Sequence, residues 1–130
     1  MGQSKRQPGP EGVKDQKNAY IPFMRYDAFQ KRLVDAVLNG PGDTPGTLRR
    51  TILEQARETP GAKGNLPPSL THYVDTVARH AYKVTDADLA ALQQTGESDD
   101  CLFEITVAAA VGAALHRLDR GMAALREEPD

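Results

Sequence analysis

The sequence predicts an all-α protein, a compact bundle of about five helices behind a disordered N-terminal tail. Apolar residues recur every three or four positions, segments rich in glycine and proline separate these patterns, and no segment alternates as a strand does. A chain of 130 residues with 39% hydrophobic content fits one domain. We therefore expect a flexible tail over residues 1–18, which contain one branched aliphatic side chain, and a single helical domain over residues 19–130.

Turn-forming segments delimit the first two predicted helices. The three- and four-residue spacing of apolar side chains predicts a helix from Phe23 to Asn39, which the following glycine and proline end. The turn segment GPGDTPG, residues 40–46, leads to Thr47, which we expect to cap a short second helix. A second loop, ETPGAKGNLPP, covers residues 58–68.

Three more helices are expected after this loop, since no proline occurs from Ser69 to Glu128. Ser69 and Ser98 are expected to cap the third and the fifth helix, and Thr85 with Asp88 has the spacing of a capping box before a short fourth helix that Gly96 ends. The predicted core stripe of the third helix is Leu70, Val74, Val77, Ala81 and Val84. That of the fifth is Phe103, Val107, Val111, Ala114, Leu118, Met122 and Leu125.

The fifth helix is expected to be enclosed by its neighbours. Its first half, Leu102 to Leu115, is apolar nearly all round, and the run AAAVGAA, residues 108–114, is small enough for a second backbone to approach closely. Its longest apolar run, Ile105 to Leu115, is about half of the ~20 residues that span a bilayer. We therefore expect a buried helix and no membrane partner.

Composition excludes several kinds of chemistry. The single cysteine, Cys101, excludes an internal disulfide and multi-cysteine metal sites, and it suits a reducing cytoplasm. We expect no metal or cofactor, because the histidines lack helical zinc spacing and no glycine-rich phosphate loop occurs. Residues 19–130 hold twelve basic and sixteen acidic residues, and no Lys or Arg lies between Val84 and His116. This charge pattern argues against nucleic acid as a partner.

Glu104 and the histidines are the candidates for acid–base chemistry. A Glu104 carboxyl held against its apolar helix face would have a raised pKa and could transfer protons, whereas the simpler alternative leaves its head in water near the helix start. His80 lies beside the core stripe and is expected to be half-buried and structural; His72 and His116 are expected to be solvated. Cys101 is expected to be an unreactive thiol, because three carboxylates surround it in sequence.

The segment ARHAYKVTDADLAALQQTG, residues 78–96, followed by ESDDCLFEITVAAAVGAALHRLDRGMAAL, residues 97–125, resembles the C-terminal core of carboxymuconolactone decarboxylase-like proteins. This all-helical superfamily includes the alkylhydroperoxidase D-like proteins, and the likeness covers residues 69–125. Relatives of the redox branch carry a CxxC pair and a histidine four residues further on. Here Ala81 and Val84 take the cysteine positions and Asp88 takes that of the histidine, so the resemblance implies no dithiol peroxidase activity.

The resemblance also implies an assembly and two alternative functions. Superfamily members are typically trimers or hexamers, so a homo-oligomer is expected, with a small-molecule ligand near a subunit boundary. The first alternative is a cytoplasmic binding or accessory protein with a degenerate active site. The second is a non-redox enzyme in which Glu104 and His80, with Tyr73 or Tyr82, carry out acid–base chemistry on a small carboxylated or lactone substrate.

Overall fold

The protein is all-α, as predicted. The computed structural model describes residues 25–58 and 66–126, and every regular element within these ranges is helical. The elements are α1 (residues 25–39), α2 (Gly46–Arg57), α3 (Pro68–His80), a 3-10 turn (Ala81–Lys83), α4 (Asp86–Gln94) and α5 (Asp99–Leu125). The predicted tail, residues 1–18, lies outside these ranges.

The chain divides into two compact units. The first is Met1–Ala36, of which the structure describes helical residues 25–36. The second, Val37–Asp130, contains α2 to α5 around one hydrophobic core. The predicted domain boundary at residues 18 and 19 falls outside the described residues and stays a prediction.

The helix ends around α4 form as predicted. The Thr85 hydroxyl accepts a hydrogen bond from the Asp88 amide over 3.2 Å, while the Asp88 carboxylate accepts one from the Thr85 amide over 3.0 Å, which completes the capping box. Gly96, with a φ of 100°, adopts the left-handed conformation that terminates the helix. The Ser98 hydroxyl then accepts a bond from the Cys101 amide at the start of α5.

The two other predicted caps are wrong. α2 begins after Pro45 and α3 after Pro67, and neither helix has a side-chain cap at its first residue. Thr47 and Ser69 lie inside the first turn of these helices. The prolines explain the earlier starts, since their fixed φ suits the beginning of a helix and they need no amide partner.

The core forms where one face of α5 packs against α2 and α3. The buried residues of this α5 face are Leu102, Ile105, Ala108, Ala109, Gly112, Ala113 and Leu115. At Gly112 the backbones touch, because a Cβ there would lie 2.3 Å from the Leu53 carbonyl oxygen and 2.8 Å from the Ala56 Cβ. The expected close approach of a second backbone is thereby confirmed at this residue.

The opposite face of α5 is open, so the predicted core stripe of this helix is wrong. Phe103 is 69% exposed, Leu118 37% and Leu125 74%. These residues belong to a row that we call the outer stripe: Phe103, Val107, Ala110, Ala114, Leu118, Gly121 and Leu125. Among the described residues, neighbouring helices thus enclose α5 on one side only. The first half of α5 is apolar on every side, so the spacing of its apolar residues could not identify which face packs in the core.

The predicted stripe of α3 is correct in its first part. Leu70 and Val74 are buried, and Val77 packs against the core from a half-buried position. The α-helix, however, ends at His80, and Ala81 is exposed in the 3-10 turn that follows. The predicted stripe crosses a break in the helix, where the change in backbone direction moves Ala81 out of the core, but its last residue, Val84, packs against the core from a half-buried position.

Candidate functional site

The four residues predicted to carry acid–base chemistry do not form one site. Glu104 contacts the loop that precedes α2, and Tyr73 is buried in the core. His80 is exposed at the end of α3, where its ring centroid lies 6.0 Å from that of Tyr82 in a perpendicular arrangement, and Tyr82 is itself 81% exposed. No hydrogen bond joins Glu104 to His80 among the residues that the structure describes, so the predicted proton-transfer pair is not assembled.

Glu104 binds the loop between α1 and α2. One carboxylate oxygen, Oε2, accepts a hydrogen bond from the Asp43 amide over 2.7 Å. The other, Oε1, accepts bonds from the Thr44 amide over 2.9 Å and from the Thr44 hydroxyl over 2.5 Å. The loop closes tightly around the carboxylate, because a Cβ at Gly42 would lie 2.6 Å from Oε1. The side chain therefore fixes a loop about sixty residues earlier in the chain.

These contacts hold the pKa of Glu104 below its ordinary value. The Thr44 hydroxyl has the largest effect, the Asp43 and Thr44 amides and the Arg49 guanidinium add to it, and burial acts in the opposite direction. The raised pKa that the proton-transfer alternative requires is therefore wrong, since the loop supplies donors that helix spacing does not reveal. The alternative, an acidic residue near the helix start with its head group in contact with water, agrees with the partly exposed carboxylate, although both oxygens also accept hydrogen bonds from the loop. An ionised Glu104 suits a structural role better than proton transfer.

Arg49 fixes the other end of the same loop. Its side chain is buried, and Nη1 donates hydrogen bonds to the carbonyl oxygens of Val37 over 2.8 Å and of Gly40 over 3.0 Å. These carbonyls are at the end of α1, where helical partners are missing. Arg49 and Glu104 thus hold residues 40–44 from two sides, and sequence analysis missed Arg49.

Tyr73 has a structural role that its hydrogen bond defines. Its hydroxyl lies 2.6 Å from the Thr106 hydroxyl, which in turn donates to the Leu102 carbonyl. Because the Thr106 hydroxyl has one hydrogen and uses it on Leu102, Tyr73 must be the donor of the shared bond. The phenol is only 4% exposed, so it joins α3 to α5 within the core.

The histidines occupy environments opposite to those expected, except for the exposed His72. His80 is exposed rather than half-buried, because α3 ends at this residue. His116 is half-buried, and its Nδ1 lies 2.8 Å from the Arg57 carbonyl oxygen. A carbonyl only accepts, so Nδ1 carries a hydrogen and His116 caps the end of α2. The position of His116 could have been predicted if Gly112 had been assigned to the core, because residues four positions apart share a helix face.

A pocket of about 230 Å³ lies beside His116, where the ends of α2 and α3 meet the second half of α5. Its lining residues are Ala56, Glu58, Ala78, Arg79, Ala113, His116 and Arg117. The three alanines provide a short apolar wall, and the remaining side chains are polar or charged. The pocket is therefore a concave site with an apolar surface and a few polar groups, as small-molecule sites generally are.

Backbone carbonyls orient the two arginines of this pocket. Arg117 Nη2 donates to the Ala78 carbonyl oxygen over 3.0 Å, and Arg79 Nη2 donates to that of Glu58 over 3.3 Å. Each guanidinium has five N–H donors and uses one of them in these bonds. Arg57, which does not line the pocket, forms a bidentate ion pair with Asp119, at 2.9 and 3.0 Å. The arginines thus present further donors at the pocket while their own positions are fixed.

Ala81 lies in the 3-10 turn between α3 and α4, and Val84 directly follows this turn. Cys101, half-buried in the first turn of α5, is a free thiol on another helix. Comparisons with protein-family models, curated proteins and solved structures give no match to this chain. The resemblance to the carboxymuconolactone decarboxylase-like superfamily therefore stays a prediction from the sequence pattern.

Proposed function

We propose that this protein is a carboxymuconolactone decarboxylase-like helical protein without a redox site, acting in the cytoplasm as an oligomeric binding or accessory protein. Its all-α fold agrees with what the resemblance implies. Ala81 and Val84 at the bend cannot form a disulfide, and one half-buried thiol at Cys101 offers no partner for exchange. A binding role needs neither a disulfide nor a reactive thiol.

The pocket between α2, α3 and α5 is the observation that carries this proposal. Its volume of about 230 Å³ lies below the ~300–1,000 Å³ of drug-sized sites, which favours a small ligand. Guanidinium N–H groups of Arg79 and Arg117 match the two oxygens of a carboxylate, and the alanine wall suits a short apolar body. We therefore propose a small organic carboxylate as the ligand class.

A thermal-shift comparison of acids with their neutral amides tests this ligand class. Benzoate and succinate are matched against benzamide and succinamide, which have similar shapes without the charge. At a hundredfold excess over Kd, binding adds about 2.7 kcal/mol to the stability of the folded state, so the acids should raise Tm by several degrees. Equal shifts with the amides, or no shift with any of the four, would contradict the proposal.

Substitution of the pocket arginines locates the ligand. Arg79→Gln and Arg117→Gln should each reduce the ligand-induced shift, because each removes a donor group from the pocket. Arg50→Gln is the matched control, since Arg50 is an exposed arginine on α2 that does not line the pocket. The shift is compared within each variant, so that a stability change from losing the Arg117–Ala78 bond does not count as lost binding. A shift retained in both pocket variants would place the ligand elsewhere.

Self-association is the second part of the proposal, with a trimer or hexamer expected from the resemblance. The exposure of Phe103, Leu118 and Leu125 supports it, since one helix face leaves large apolar side chains uncovered in the single chain. Light scattering coupled to size-exclusion chromatography measures the mass directly. A mass of one chain, 14.1 kDa, at every concentration would rule out this part and leave the ligand proposal standing.

A further inference from the structure

The pocket beside His116 offers hydrogen-bond acceptors as well as donors. The side chains of Arg79 and Arg117 contribute only N–H donors, whereas the Glu58 carboxylate contributes only acceptors. His116 can contribute either, because the role of each ring nitrogen depends on which of the two carries the hydrogen. A ligand in this pocket therefore meets more than the two guanidinium groups, and the further contact depends on the tautomer of His116.

The bond to Arg57 fixes this tautomer. Nδ1 of His116 lies 2.8 Å from the Arg57 carbonyl oxygen, so Nδ1 carries the hydrogen. In the neutral ring the other nitrogen, Nε2, is then an acceptor. Nε2 has no hydrogen-bond partner among the described residues, and it is not one of their enclosed unpaired atoms, which belong to Arg49 and Gln55. Because His116 lines the pocket, this free nitrogen is within reach of a ligand there.

The His116 ring is a better acceptor for a ligand than the Glu58 side chain. The ring is half-buried on α5, and its bond to Arg57 holds it in one orientation, so little freedom is lost when a ligand binds. Glu58 is exposed, so a ligand bond to its carboxylate mainly replaces a bond to water. We therefore expect Nε2 of His116 to select the second functional group of the ligand.

The charges of the pocket decide which donor suits Nε2. A ligand ammonium group would enter a pocket that already holds the guanidinium groups of Arg79 and Arg117, and the single carboxylate of Glu58 offsets only one of them. A hydroxyl group donates one hydrogen bond and adds no charge. A hydroxyl therefore suits the free acceptor of His116 and can accompany the carboxylate that the arginines bind.

We propose that the ligand of this pocket is a hydroxycarboxylate, whose carboxylate binds the two guanidinium groups and whose hydroxyl donates a hydrogen bond to Nε2 of His116. This inference rests on the proposed carboxylate-binding function and adds a second recognition group to the ligand. His116 is then a specificity residue, because an acid without the hydroxyl leaves its acceptor unpaired. One neutral hydrogen bond corresponds to about a fivefold difference in Kd.

Calorimetric titration of the full chain at pH 8, where free imidazole is neutral, tests the hydroxyl. The probes are 3- and 4-hydroxybenzoate. Their matched controls are 3- and 4-fluorobenzoate, since fluorine is close to a hydroxyl in size but cannot donate. Lactate against propionate repeats the comparison with a shorter acid. In at least one pair the hydroxy acid should have a Kd about fivefold lower. Equal Kd values within every pair would overturn the inference.

Two substitutions of His116 separate its two nitrogen atoms. In His116→Asn the amide takes the position of Nδ1, so it can still donate to Arg57 but leaves no acceptor at the position of Nε2. This variant should bind the hydroxy and fluoro acids equally. In His116→Gln the amide oxygen can take the position of Nε2, so the preference should be retained although the Arg57 bond is lost and Tm falls. His72→Asn is the matched control, because His72 is exposed on α3 and does not line the pocket.

The outcomes separate this inference from the proposed function. If benzoate raises Tm but the hydroxy and fluoro acids bind equally, the arginine site stands and the role of His116 fails. If the preference for the hydroxyl disappears in Glu58→Gln and persists in His116→Asn, the hydroxyl binds Glu58 and the inference is overturned. If no acid binds, with or without a hydroxyl, both proposals are overturned.

Discussion

α5 has two apolar faces in opposite environments. On one face Ile105, Ala108 and Ala109 are completely buried against α2 and α3. On the other face Phe103 and Leu125 are about 70% exposed, although they are larger and as apolar. The two faces are similarly hydrophobic and differ in packing, since Gly112 on the inner face lets the α2 backbone approach closely.

Both faces combine large and small side chains, so what separates them is the position of a small residue, Gly112, opposite the backbone of α2. On the inner face, Gly112 lets the α2 backbone come into close contact, and the larger side chains of Leu102, Ile105 and Leu115 are buried beside it. A face with widely spaced Phe and Leu leaves gaps that need a partner of complementary shape. The same substitution on the two faces of α5 should consequently have opposite or very unequal effects.

The largest contrast is expected between Ile105→Ala and Phe103→Ala. Ile105 has no exposed surface, so its truncation leaves a cavity and should lower the free energy of unfolding by about 3–4 kcal/mol. Phe103→Ala should change it by less than about 0.5 kcal/mol, because the ring is 69% exposed. Urea denaturation at a concentration where the chain is monomeric measures both. Similar losses in the two variants would show that the outer face is covered within one chain.

The next contrast uses the two glycines of the helix. Gly112→Ala places a Cβ 2.3 Å from the Leu53 carbonyl oxygen, a backbone atom that cannot rotate away, so we expect a net loss of about 2 kcal/mol. A Cβ at Gly121 would meet no neighbouring atom of the described residues within 4 Å, so Gly121→Ala should stabilise the monomer by about 0.5–1 kcal/mol through helix propensity. Thermal unfolding of both variants checks the sign. A stabilising Gly112→Ala would disprove the close backbone approach.

Much of the fold could be predicted from the sequence because local signals specify it. The Thr85–Asp88 capping box, the Ser98 cap and Gly96 act within three or four residues, so their spacing is enough. The face of α5 could not be chosen in this way, because both faces are apolar and the choice depends on Gly112 meeting α2. Prolines also shifted two helix starts that hydroxyl residues had indicated.

Less of the candidate site was predictable, because it depends on contacts distant in sequence. Glu104 was singled out correctly as an unusual carboxylate, but its partners Asp43 and Thr44 lie about sixty residues away. His116 and Arg117 were missed for the same reason, since their acceptors are carbonyls at the ends of other helices. The spacing of residues predicts which side chains share a face of one helix. It does not indicate which neighbouring helix or loop those side chains will contact.

The smallest effect concerns Glu104, which lies between the two faces of α5 and stabilises the fold through hydrogen bonds rather than packing. Glu104→Gln keeps the shape but removes the charge that three donors from Asp43 and Thr44 stabilise. Since the group is partly exposed, we expect a loss of only about 1 kcal/mol in the free energy of unfolding at pH 7. Asp100→Asn, an exposed acidic residue of the same helix, is the control and should change much less.

The pH dependence gives this last prediction its sign. The pKa of Glu104 is lowered in the folded state from an ordinary value of 4.5, so between these two pKa values the unfolded chain binds the proton and the folded chain does not. The stabilisation is therefore fully present above about pH 5 and is lost as the pH falls through the folded-state pKa. The difference in unfolding free energy between wild type and Glu104→Gln should shrink over this acidic range. A difference that stays constant or grows there would show that the carboxylate acts through packing alone.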